Sequence, residues 1–152
     1  MSRTLASLCA AIAVSATIAL APQVAHAEQE KITNPKIGKP LIAAQEAIKA
    51  KRWDEAEKKL AEANGVDKKT PFEQTKINEV LSYVLLQQRK YGEAARVYED
   101  QLNSGHVTPG EVQSLLLTLL QLNYQTKNYQ KAAEFGDRWV KGGGSDPEQL
   151  VL

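Results

Sequence analysis

The residue types that most often carry out chemistry are few in this sequence, and their spacing matches no catalytic motif. Beyond residue 27 the chain holds one histidine, His106, which follows Gly105. A lone histidine makes neither a metal site nor a nucleophile–base pair, and no acid-rich loop or serine motif accompanies it. The only cysteine, Cys9, lies near the amino terminus, so the remainder has no thiolate ligand or nucleophile. We therefore predict a protein that is not an enzyme and has no catalytic residue, cofactor or metal.

Acidic pairs and a glycine-rich stretch are weaker candidates still. Glu55 with Glu57, and Glu99 with Asp100, lie on the polar faces of amphipathic helices, where such side chains are usually solvated. Residues 142–144 are glycines that follow a helix and lack the Lys and Ser/Thr of a phosphate-binding loop.

The charges of the 19 basic and 18 acidic residues nearly cancel. Because phosphate binding needs a clustered positive surface, this balance argues against nucleic acid as a partner.

A repeat of 38 residues organises the chain instead. One set of residues with this spacing consists of helix caps that are each followed by proline: Thr70, Thr108 and Asp146. A second set consists of aromatic residues that each have alanine three positions later: Trp53, Tyr91 and Tyr129. Two independent markers with one period of this length are typical of a solenoid.

Start and stop signals divide each repeat into two helices. Thr70 with Glu73, and Thr108 with Glu111, predict capping boxes in which each side chain pairs with the other residue's backbone amide. The helix after Thr108 is apolar on nearly all sides, which predicts burial between neighbours. In the first repeat, residues 41–51 are predicted to be helical. Asp54 is predicted to cap the next helix, and Gly65 to end it in a left-handed conformation.

These residues resemble the tetratricopeptide repeat (TPR) family, whose second helix carries an aromatic, a small, a large and a small residue at fixed spacing. The first repeat matches all four positions, with Trp53, Ala56, Leu60 and Ala63. The second departs at Gln101, and the third at Gly136 and Trp139. The resemblance covers residues 38–145 and implies an all-α fold, an α-solenoid of about three TPR-like antiparallel helix pairs with a truncated fourth. The period exceeds the family's usual length of about 34 by roughly one helical turn.

The first helix of each pair lines a concave groove in TPR-like stacks. Counting back from each turn aromatic, the resemblance implies six groove residues: Gln45, Lys76, Glu79, Tyr83, Gln121 and Tyr124. Tyrosine and glutamine there would hydrogen-bond an extended peptide while the rings supply contact area. The alternative places Tyr83 and Tyr124 in the core between repeats, with their hydroxyls at the rim. We interpret the turn aromatics themselves as packing residues rather than ligand-stacking ones.

The two ends of the chain carry separate signals. Residues 1–27 have the pattern of a secretory signal peptide, with Arg3, an apolar run over residues 5–20 and an Ala25-His26-Ala27 cleavage site. We expect cleavage after Ala27 and a bacterial protein that is periplasmic or secreted; in the alternative, a retained leader anchors the chain to the membrane. Residues 28–39 are predicted to be a flexible lead-in and residues 40–145 the repeat domain. Residues 146–152 are predicted to begin a further helix, which favours a chain that continues beyond Leu152.

Together these features predict an exported, non-catalytic scaffold or adaptor that binds a protein or peptide partner in the cell envelope through the groove. The alternative is the N-terminal repeat region of a longer envelope protein. Such a protein would be either a membrane-complex subunit or a chain with a catalytic part beyond residue 152. A repeat array supports binding in general but does not identify the ligand.

Overall fold

The computed structural model describes residues 31–144, which form six α-helices joined by short loops. The helices are α1 (Pro35–Lys49), α2 (Trp53–Asn64), α3 (Pro71–Gln87), α4 (Tyr91–Asn103), α5 (Pro109–Gln125) and α6 (Tyr129–Lys141). Residues 31–144 contain no β-strand, and the all-α prediction is confirmed. The predicted signal peptide and the predicted helix start at Asp146 lie outside the described residues.

The helices stack in the order in which they occur along the chain. Each packs against the helix before it and the helix after it, and α1 also contacts α3. Because the connections are short, consecutive helices are antiparallel. The result is three pairs, α1–α2, α3–α4 and α5–α6, arranged as a solenoid.

Both complete capping boxes are present at the predicted residues. At α3, the Thr70 Oγ1 accepts from the Glu73 amide at 3.1 Å, and the Glu73 carboxylate accepts from the Thr70 amide at 2.9 Å. At α5 the corresponding distances for Thr108 and Glu111 are 3.4 and 2.7 Å. These bonds satisfy amides that have no partner within the helix. They also hold the pKa of the Glu111 carboxyl below its usual range, chiefly through the Thr108 backbone amide.

Helix α1 begins earlier than the sequence indicated. Asn34 is its cap and accepts from the Lys36 amide at 3.0 Å, with Pro35 at the first helical position. Residues 35–39, which were expected in a flexible lead-in, are therefore helical. The cause is Ile37, whose side chain is completely buried in the core of the first pair. The prediction failed because Pro40, which lies inside the helix, resembles a loop signal.

The turn between the two helices of each pair has a form that the sequence did not predict. Its left-handed residue is Lys51, Arg89 or Lys127, with φ of 56°, 58° and 62°. The next amide then donates to the carbonyl five residues earlier at 2.8 Å in all three turns. This is the Schellman arrangement, which here uses a basic residue where glycine is usual. These residues keep the same period of 38 as the turn aromatics.

Two predicted details of helix α2 are wrong. Its cap position is Arg52, which makes no side-chain capping bond, and Asp54 lies in the first turn. Gly65 at the other end is right-handed, with φ of −75°. No left-handed glycine is needed, because the Lys69 ammonium donates to the carbonyl oxygens of Asn64 and Val66 at 2.6 Å each.

Two apolar clusters form the core. The first joins α1 and α2 to one face of α3, and its fully buried members include Ile37, Leu60 and Ile77. The second extends from α3 to α6 and includes Leu119 and Trp139. Leu81 of α3 packs against both clusters, so the middle pair joins the two ends of the described array.

Polar side chains also connect successive pairs. The Lys90 ammonium lies 2.7 Å from the Glu57 carboxylate, and this hydrogen bond raises the pKa of Lys90. The Gln88 amide donates to Asp54 at 2.8 Å, and Lys131 contacts Glu99 at 2.8 Å. Each contact links the second helix of one pair to the turn or second helix of the next. Within residues 31–144, no helix is long and apolar enough to cross a membrane.

Candidate functional site

The predicted groove residues all lie on the first helices of the three pairs. Gln45, Tyr83 and Gln121 occupy equivalent positions, 38 residues apart, on α1, α3 and α5. Gln45 and Tyr83 are exposed, whereas Gln121 is partly buried. We call the six predicted residues on these helices the first-helix surface.

On α3 this surface forms one stripe along the helix. Lys76, Glu79 and Tyr83 follow one another at three- and four-residue spacing, which aligns them on one side. The Lys76 ammonium lies 2.7 Å from the Glu79 carboxylate and 5.6 Å from the centre of the Phe72 ring. The two charges neutralise each other, so a binding partner meets a nearly neutral surface beside the tyrosine.

Tyr83 is held by a ring from the preceding pair. Its side chain is 46% exposed. It meets the Trp53 indole edge to face, with ring centres 6.2 Å apart and planes inclined at 70°. Trp53 itself packs against the first apolar cluster. The tyrosine is therefore oriented by the core and keeps about half of its surface free.

Tyr124 on α5 has a comparable arrangement. It is 49% exposed and meets Tyr129 edge to face, with centres 5.5 Å apart and an interplanar angle of 66°. The two exposed tyrosines of the first-helix surface thus pair with different rings. They form two separate aromatic positions on successive first helices, not one aromatic cluster.

The packing interpretation of the turn aromatics holds for two of them. Trp53 and Tyr91 are partly buried and pack against the two apolar clusters. Tyr129 is more than half exposed and meets Tyr124 edge to face. The difference has a structural reason, because Trp53 is covered by the next pair, whereas α6 is the last helix of the described residues.

Sequence reasoning missed one exposed apolar residue beside the predicted set. Ile42 is 59% exposed and lies three residues before Gln45, hence on the same side of α1. Its equivalents in the other pairs are Val80 and Thr118, so the repeat pattern gave no signal for an exposed apolar side chain here.

Groups suited to catalysis do not converge in the described part of the chain. His106 is exposed in the α4–α5 loop, and its backbone amide donates to the Ser104 hydroxyl at 3.2 Å. Within residues 31–144, no three His, Cys, Asp or Glu side chains lie close enough together to hold a metal ion. The arrangement on the first helices can instead provide contact area and hydrogen bonds to another molecule.

Comparison with known proteins finds a similar protein, PilF, both by sequence and by structure. No family model matches the chain. The type IV pilus assembly protein PilF of Pseudomonas aeruginosa is 31% identical over 102 residues, which cover 67% of this chain and 38% of PilF. A solved structure from a functional characterisation of Pseudomonas aeruginosa PilF matches with a TM-score of 0.51 and 27% identity. That match covers 73% of this chain and 47% of the other, so the chain spans less than half the length of the relatives it matches.

Proposed function

Because this chain is a TPR-like helical repeat protein with a fold similar to that of PilF, we propose that it is a non-catalytic adaptor. It binds a protein or peptide partner through the first-helix surface. We further propose that it is exported and acts in the periplasm or outside the cell, with its leader removed after Ala27. Because PilF is named as a pilus assembly protein, we propose that the partner takes part in assembling a structure of the cell envelope.

The observation that carries this proposal is the pair of half-exposed tyrosines on successive first helices. Tyr83 and Tyr124 each lie edge to face against a second ring. Binding then costs little side-chain entropy, because the rings are already oriented. Tyrosine is enriched at protein interfaces because it combines a large apolar area with a hydroxyl that can donate or accept.

The polar neighbours of the tyrosines favour a protein ligand over a charged small molecule. Lys76 and Glu79 neutralise each other, and Gln45 and Gln121 contribute uncharged amide groups to the same set of helices. Amides of this kind suit the hydrogen-bonding groups of a peptide backbone. Solenoid arrays usually bind their partners through an extended surface of this kind along the stack.

The test begins with the partner itself. The tagged chain is expressed in its own cells and cross-linked, and the retained protein is identified by mass spectrometry and then purified. Its dissociation constant is measured for the unmodified chain and for the double variant Tyr83→Ala, Tyr124→Ala. Truncating interface aromatics typically costs about 1–4 kcal/mol each, so we expect binding to weaken by at least about tenfold.

Two matched variants show whether the rings themselves are responsible. Val140→Ala removes a comparably exposed side chain on α6, outside the first-helix surface, and should leave the dissociation constant unchanged. Tyr83→Phe with Tyr124→Phe keeps both ring contacts and removes only the hydroxyls, so its affinity should lie between the other two. Far-ultraviolet circular dichroism establishes that each variant is folded. Unchanged affinity in a folded double alanine variant would show that the first-helix surface is not the binding site.

A further inference from the structure

A cavity of about 580 Å³, lined mostly by residues with polar side chains, lies on another side of the middle helix pair. It is lined by the first half of α3, the second half of α4 and the loops that precede α3 and follow α4. We call it the α3–α4 cleft. Its volume is within the range of pockets that bind ligands, about 300–1,000 Å³.

Four carboxamide side chains line the cleft: Asn64, Gln74, Asn78 and Gln101. The Gln74 amide nitrogen donates to the side-chain oxygens of both Asn64 and Asn78, at 2.9 Å each. Asn78 is only 8% exposed. Its oxygen is used by Gln74, whereas its amide nitrogen makes no hydrogen bond to any residue between 31 and 144. The nitrogen is therefore available as a donor to a bound segment.

The third pair shows that the fold does not require these polar residues. The positions 38 residues after Gln74, Asn78 and Gln101 are Val112, Leu116 and Trp139. Leu116 and Trp139 are each 3% exposed and belong to the second apolar cluster, with Val112 packed against it. At the same positions, one pair is therefore closed with hydrocarbon while the other is left open and lined with amides.

The first pair supports the same conclusion from the other direction. Its equivalent of Gln101 is Ala63, a fully buried small residue of the kind that the TPR pattern has at this position. At the position of Gln101 the middle pair thus departs from both of its neighbours.

We propose that the α3–α4 cleft is a second binding site and that it takes an extended, uncharged polar segment of a protein partner. Carboxamides offer a donor and an acceptor side by side, which is the pattern of a peptide group. Lys69 already donates to two backbone carbonyl oxygens, and the other lysine of the lining, Lys68, is accompanied by the acidic Asp100. Leu81 and Val97 supply a small apolar area for one side chain of the segment.

The two sites lie on different sides of α3. Tyr83 is five residues beyond Asn78, which corresponds to about 140° around a helix with 3.6 residues per turn. A partner on the first-helix surface therefore leaves the cleft accessible. The second site would allow the chain to connect two protein segments at once, and it does not depend on the proposed groove being correct.

Selection from a displayed library of random linear peptides on the purified chain tests the proposal. The selected peptides are compared on three folded proteins: the unmodified chain, the double variant Asn78→Leu, Gln101→Trp, and the double variant Tyr83→Ala, Tyr124→Ala. The first variant copies the third pair into the cleft. A further variant, Asn78→Leu with Gln101→Ala, introduces smaller side chains. It replaces the first variant if the tryptophan does not fit.

We expect a class of peptides rich in Asn, Gln, Ser and Thr that binds at least about tenfold more weakly to the cleft variants, the effect of losing roughly 1.4 kcal/mol. The same peptides should bind equally well when the tyrosines are replaced. Three outcomes overturn the proposal. The selection yields no peptides, every selected peptide depends on the tyrosines alone, or the cleft-dependent peptides are acidic and lose affinity in Lys68→Ala. Peptides whose binding depends only on the cleft would support this proposal even if the first-helix surface binds no partner.

Discussion

The first turn of α1 provides a direct test of where the folded domain begins. Ile37 is completely buried, whereas Ile42, five residues later in the same helix, is 59% exposed. Replacing a buried isoleucine by alanine costs about 2–5 kcal/mol, through lost burial and the cavity that remains. The higher helix propensity of alanine returns only a few tenths of a kcal/mol. We therefore expect Ile37→Ala to lower the free energy of unfolding by about 2–5 kcal/mol.

Ile42→Ala is the matched control, because the residue type, the helix and the substitution are the same. Its expected effect is within about 0.5 kcal/mol, as for most surface changes. Urea unfolding followed by circular dichroism gives both values, and tryptophan fluorescence serves as a second probe, because Trp53 lies against the same cluster as Ile37. Repeat arrays can unfold in steps, so agreement between the two probes must be established first. Equal midpoints for the two variants would mean that residues 35–39 are not part of the folded domain.

Three further predictions concern a helix cap, the pH dependence of its carboxylate and a close packing contact. Thr108→Ala should lower stability by about 1 kcal/mol at neutral pH, measured by urea unfolding, through loss of the cap of α5. Because the folded pKa of Glu111 is lowered, its contribution is complete above the usual glutamate pKa of about 4.3 and is lost as the pH falls through the lower folded value. The advantage of the unmodified chain over Glu111→Gln should therefore shrink over that acidic range, and an advantage that does not change with pH would contradict this. Gly144→Ala should lower the melting temperature, because a methyl group there would overlap the buried Trp139 ring. Gly92→Ala, at a helical position in open space, should raise it, because alanine has the higher helix propensity. Equal changes in melting temperature would refute the packing of residue 144 on the indole.

Features decided by local chemistry were predicted from the sequence. The capping boxes of α3 and α5 need only Thr, Pro and Glu at fixed spacing, and all of these bonds form. The all-α repeat fold followed from two markers with one period. The start of α1 was missed because Pro40 resembles a loop signal and because Asn34 lies 36 residues before Thr70, not 38. Its helix depends on burying Ile37, which a local pattern does not reveal.

The turns and the candidate surfaces could be predicted only in part. The left-handed residues Lys51, Arg89 and Lys127 carry no glycine signal, so their conformation follows from the geometry of two packed helices and not from residue type. The first-helix surface was predicted by counting from the turn aromatics, and the tyrosines are exposed. Their support by Trp53 and Tyr129 depends on how the helices pack. Whether that surface binds a partner remains a prediction.

Departures from the repeat are more informative about function than the repeat itself. Residues that match from one pair to the next, such as the capping threonines, serve the fold. Gln101 and Trp139 occupy one position in successive pairs but produce opposite results, an open amide-lined cleft and a closed apolar core. Since a solenoid is stabilised mainly by contacts between neighbouring helices, one pair can lose some apolar packing while the others hold the array together. This tolerance allows a polar cleft such as the α3–α4 cleft to lie inside an otherwise apolar stack.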